Sequence, residues 1–130
     1  MKNKLKGFAL IEVIIVIVLV SGSFLVFLEA LNQAKSMQVR SEIVSMQSML
    51  LNHKISQTRA SGFDNVLGFL DYTSFQERPA YKYSINVVYI NENLETVNNA
   101  ETNYKKIEIS VKHNEEKYMP ISDTFLMTKK

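Results

Sequence analysis

Residues 8–28 read FALIEVIIVIVLVSGSFLVFL, apolar at 17 of 21 positions. As a helix rising ~1.5 Å per residue this run covers ~31 Å, which matches a hydrocarbon core of ~30 Å. Its centre, Val13 to Val20, is almost wholly β-branched. In water such a segment favours strand and aggregation, whereas in lipid the backbone must satisfy its own hydrogen bonds and coils into a helix. Three lysines, Lys2, Lys4 and Lys6, stand just before it, and no comparable basic cluster follows closely. That asymmetry predicts a single pass with the N-terminus inside.

The chain of 130 residues fits one domain of modest core. Its formal charge of +2 comes from the leader: with those three lysines set aside, 12 basic side chains face 13 acidic ones. No basic face is left to neutralise phosphates, so nucleic acid is not indicated as a partner. Without cysteine there is no disulfide framework, zinc–thiolate site or thiol nucleophile. Two histidines, four glycines and two prolines leave little material for a metal cluster or a phosphate-cradling loop. No Ser/His/Asp set, paired-carboxylate arrangement or glycine-rich phosphate motif stands out. The expectation is a protein that is not an enzyme, with no catalytic residue, cofactor or metal.

Glu12 interrupts the apolar run at its fifth position. Held deep in lipid an ionised carboxylate costs ~2.5 kcal/mol or more. One reading places it near the cytoplasmic headgroups, reaching back to water. Another gives it a partner.

The string Lys6-Gly7-Phe8-Ala9-Leu10-Ile11-Glu12-Val13 closely resembles the N-terminal signal of type IV pilins and of the pseudopilins of type II secretion. In that family a short basic leader ends in Gly, the mature chain opens on Phe, and a Glu stands at its fifth position before an unbroken apolar helix. Gly7, Phe8 and Glu12 fall on those places; Ala9 stands where the family more often has Thr. The resemblance implies cleavage by prepilin peptidase between Gly7 and Phe8 on the cytoplasmic side. A residue without a side chain before the scissile bond lets a protease approach the backbone closely. It further implies N-methylation of Phe8, and a pairing of Glu12 with the terminal amine of a neighbouring subunit that fixes axial register. A buried charge is tolerable when an opposite charge is supplied. Other pilin or pseudopilin subunits and an inner-membrane assembly platform are the implied partners, with membrane lipid before assembly. The implied location is the cytoplasmic (inner) membrane, then a cell-surface or periplasmic filament. Many major pilins carry a helix-bending Pro in the apolar half and a C-terminal disulfide; this chain has neither, which leans toward a minor pilin or pseudopilin.

Two rival readings stand beside this one. Ser21-Gly22-Ser23 could serve as a secretory cleavage site, releasing a soluble chain from Phe24, although Glu12 and the further apolar run at 24–28 argue against it. An uncleaved, N-terminally anchored binding module is the other.

Beyond the apolar run, Val39, Ile43, Met46 and Leu50 recur at helical spacing, widened by Val44, Leu51 and Ile55, with Arg40, Glu42, Gln47 and Lys54 on more polar faces. One helix from about Phe8 to Gln57, ended by Ser61 and Gly62, is expected, its first half transmembrane and its second amphipathic. Residues 63–80 read as a connection containing Phe63, Phe69, Tyr72 and Phe75, with a short helix at 65–71. Alternation predicts strands at 81–90 and 106–111, and a third at 118–127 bent at Pro120, separated by a polar loop at 91–103 and a turn at 113–116. The fold class is therefore α+β: one long helix packed on a small antiparallel sheet of about three strands. The chain divides into a leader (1–7), an assembly helix (8–30), its amphipathic continuation (31–60) and a globular part (61–130). Asn114, Glu115, Glu116 and Asp123 lack the ligand rhythm of a calcium loop and read as a solvated turn.

Overall fold

The computed structural model describes residues 2–98 and 101–129, with side chains from Ala9 onward. Helix α1 runs Lys2–Ser61, a 3₁₀ turn follows at Phe63–Asn65, and four strands complete the chain: β1 Phe69–Ser74, β2 Tyr81–Ile90, β3 Tyr104–His113 and β4 Ile121–Thr128. The chain divides into two units, residues 1–40 and 41–130.

The first unit is helix alone. Apolar side chains from Leu10 to Phe27 are 52–69 % exposed on every side of it. The helix passes unbroken through Ser21-Gly22-Ser23, and the Ser23 hydroxyl donates to the Leu19 carbonyl at 2.8 Å. The polar group is thus satisfied within its own helix, as a lipid environment requires.

The second unit is the α+β domain expected from the alternation. All strand pairs are antiparallel, in the order β1-β2-β3-β4. Ile85, Ile107, Ile109, Val111 and Phe125 form one face of the sheet and close on Leu50, Leu51 and Ile55 of α1. Ile107, Ile109 and Val111 are completely buried, so the apolar half of the β3 alternation marks the centre of the core. Ile90, one step out of phase with that face, is 1 % exposed where the chain folds back through an Ile90–Thr96 bridge.

The helix stripe differs in detail from its expected position. Val39 and Val44 are exposed, while Gln47 is fully buried. Gln47 reaches across to donate its Nε2 to the Met119 carbonyl at 3.2 Å, tying the helix to the start of β4. The contact that buries this polar residue lies 72 residues away in the sequence.

The helix stops where Ser61 and Gly62 predict. Gly62 takes φ +84°, a positive backbone angle that removes the chain from the helix at little cost for a residue lacking Cβ. Ser61 Oγ donates to the Thr58 carbonyl and Asn65 Nδ2 to the Ser61 carbonyl, satisfying two of the helix's last four acceptors.

The sheet has four strands where about three were expected. The additional one, β1, lies in the connection where a short helix was anticipated at 65–71. Phe69 pairs with Ile85 and Thr73 with Tyr83, so a bulge interrupts the ladder and destroys the period of two by which a strand is read. Just before it, Gly68 passes so close to β2 that a Cβ would stand 3.0 Å from the Val87 nitrogen and 3.3 Å from the Ile85 carbonyl oxygen. Backbone cannot yield as a side-chain tip can. Gly68→Val is expected to destabilise the unit by about 2 kcal/mol, seen as a lower denaturant midpoint at unchanged slope. The last strand begins at Ile121 rather than at residue 118, because Pro120 has no N–H to give a ladder. On this edge strand Asp123 pairs with Ile109 and so shares the helix-side row with Phe125; its carboxylate accepts the Thr124 N–H at 2.8 Å. A charge in that position blunts an otherwise open edge.

Candidate assembly surface

Two of the sequence-derived site residues, Gly7 and Phe8, lie outside the residues described beyond their backbone. Glu12 is described: it lies in α1, exposed, one helical turn on from Phe8. Among the described residues it forms no ion pair. It is the one charged side chain among the apolar residues from Ala9 to Leu28. The apolar helix is long enough to cross a membrane, and none of its most apolar window is buried within the chain.

The globular unit accounts for most of the aromatic side chains in the connection. Phe69 and Phe75 pack on Tyr83, with ring centroids 5.5 and 4.7 Å away. Tyr72 lies on the opposite, outer face of the sheet, its hydroxyl 3.0 Å from Ser110 Oγ and its ring 4.0 Å from the Lys112 ammonium. Two of these aromatics therefore cover the core, whereas Tyr72 is presented outward.

A buried cation emerges that sequence reading passed over. Lys105 is 4 % exposed, donates to the Phe63 carbonyl at 2.7 Å, and places its ammonium 4.4 Å from the Phe63 ring and 5.2 Å from that of Tyr89. The signal was there: Lys105 is in phase with Ile107, Ile109 and Val111, and one more step of the alternation points it inward. It fastens the 3₁₀ turn after the helix to the sheet. Lys105→Ala removes a charge-assisted hydrogen bond, two ring contacts and the packing of the stem. A loss of about 2 kcal/mol is expected, measured as a lower thermal midpoint.

At the other end of the sheet, Asn114 Nδ2 donates to the Pro79 carbonyl, and His113 stands edge-on between Tyr81 and Tyr118. Glu115 pairs with Lys117 at 2.7 Å, and the hydrogen bond from that ammonium holds its carboxyl below the usual range. Among the described residues no group of three His, Cys, Asp or Glu side chains converges as a metal site would require. Burial pushes the Tyr81 phenol above its ordinary 10.0, opposed by the nearby Arg78 charge. The folded unit therefore favours the protonated phenol. This contribution is fully present below the unfolded value and lost as pH rises through the folded one. Unfolding followed from about pH 8 to 11 should show an alkaline decline that Tyr81→Phe flattens.

Taken together, the fold defines a class: an α+β domain carried on a helix whose N-terminal portion offers apolar side chains in every direction. In comparisons with protein-family models, curated proteins and solved structures, nothing matches this chain.

Proposed function

We propose that the chain is a structural subunit, a minor pilin or pseudopilin, of a type IV pilus-like filament. Prepilin peptidase cleaves it after Gly7, the new amine of Phe8 is methylated, and the subunit enters the filament through α1. The observation that carries this reading is the helix from Leu10 to Phe27, apolar all round and uncovered by the rest of the chain, with Glu12 as its single charge. Such a surface suits two environments in turn. Before assembly it lies in the inner membrane with the N-terminus inside, and lipid covers it. In the filament, sister helices replace the lipid and van der Waals packing stabilises the contact. The α+β unit then faces outward, on a cell-surface or periplasmic filament.

The test is fractionation of cells carrying the assembly platform, with and without prepilin peptidase. The chain should move from membrane to a sedimenting filament fraction only when the peptidase is present. Retention in the membrane in both cases would favour the uncleaved, anchored binding module, whose outward aromatic Tyr72 is the feature available to a partner.

A further inference from the structure

The turn between β2 and β3 holds a leucine where backbone geometry favours glycine. Leu94 has φ +65° and is 64 % exposed at the tip of the turn. The turn is built firmly around Asn91. Its Oδ1 accepts the N–H groups of Asn93 and Glu95, its Nδ2 donates to Glu95 Oε2, and its backbone carbonyl accepts the Leu94 N–H. An apolar side chain is thus held out in water on a hydrogen-bonded turn with an unfavourable backbone angle, a pairing that points to use rather than to folding. Glu92 and Glu95 flank it, and neither forms an ion pair among the described residues.

The same unit carries the complement. Between the last turns of α1 and the start of β1 lies a recess with an apolar floor of Val66, Phe69 and Ile85 and an exposed lip at Leu67. Lys54 stands at its rim. Its ammonium lies 4.1 Å from the Tyr83 ring and donates to Gln57 Oε1 at 3.0 Å, so both contacts are neutral, and among the described residues no carboxylate balances the charge.

We infer that the Leu94 turn docks in the α1–β1 recess of a second copy of this chain, with Glu92 and Glu95 meeting Lys54. This rests on the filament reading and adds to it a contact between globular units. Under the filament reading the turn of each copy enters the recess of the next, a heterologous contact that repeats in an open series. Charge complementarity, acidic side chains beside the leucine and an unbalanced lysine beside the recess, selects a second copy over an unrelated partner.

The chain's lack of cysteine makes the test clean. Full-length Leu94→Cys and Leu67→Cys chains are co-expressed with the assembly platform and peptidase, and membranes and filaments are oxidised. Val16→Cys in the apolar helix reports separately whether copies adjoin at all. A disulfide-linked dimer joining the Leu94→Cys chain to the Leu67→Cys chain is expected, and only when both variants are present. Lys54→Glu should reduce its yield by roughly threefold, and adding Glu92→Lys, which leaves the Asn91–Glu95 hydrogen bond of the turn in place, should restore it, as expected for one exposed charge contact. In an otherwise unaltered chain, Leu94→Asn introduces a residue that tolerates this backbone conformation, so folding should stay intact while Lys54 becomes open to a surface amine reagent. A Val16→Cys dimer without the mixed dimer of the Leu94→Cys and Leu67→Cys chains overturns the inference and leaves the filament reading standing; absence of both overturns the two together.

Discussion

Glu12→Leu is expected to leave the chain well inserted and cleaved, yet unable to enter a filament. In lipid the substitution is favourable, because it removes a carboxylate worth ~2.5 kcal/mol or more of unfavourable transfer. In the assembled state it strips the partner from an amine among apolar helices, and breaking such a buried pair costs about 3–5 kcal/mol. Incorporation should therefore fall at least about a hundredfold, read as the ratio of filament to membrane chain. The opposite signs are what make this variant informative. A Glu12 that merely reaches back to the headgroups would predict unchanged or improved behaviour throughout, with no step lost. Glu12→Gln, which keeps size and hydrogen bonding but not charge, should fall with Leu rather than with the parent.

The second large effect lies at Gly7. Gly7→Val puts a branched side chain beside the scissile bond, where a protease must approach the backbone. A clash of about 3 kcal/mol at the transition state slows cleavage about a hundredfold. The uncut precursor should accumulate in the membrane, seven residues longer than the mature chain. Its α+β unit, lying far along the sequence from the change, should fold as before, with the same thermal midpoint as the parent. The two variants separate the steps: Gly7→Val stops processing, Glu12→Leu stops assembly after processing.

How far the chain declares itself depends on what each residue answers to. The apolar helix was legible because its apolar residues form one nearly unbroken run, and nothing elsewhere in the chain must cooperate. Strands β2 and β3 were legible for a related reason: Tyr81, Tyr83, Ile85 and Val87, then Ile107, Ile109 and Val111, each turn one face to α1, and a period of two follows. Strand β1 was not. Its bulge between Phe69 and Thr73 puts two of every three side chains toward solvent, and Leu67 and Leu70 remain more than three-quarters exposed. Gln47 and Lys105 misled for another reason, since a polar residue is read as exposed unless its partner is known, and both partners are backbone carbonyls distant in sequence. Leu94 carried no signal at all; an isolated leucine in a polar loop is ordinary until its backbone angle is seen. The site residues at 7, 8 and 12 were read from a short string of sequence, and under the proposed function they answer to processing and assembly partners.

The most direct measurement is therefore the mass of the mature N-terminal peptide, taken from native membranes and filaments where prepilin peptidase is active. Prepilin processing predicts a chain that begins at Phe8 with one added methyl group on its amine. A chain that keeps Met1 or Lys2 would contradict it and leave a permanently anchored domain, and one that begins at Phe24 would contradict it in favour of a secreted protein.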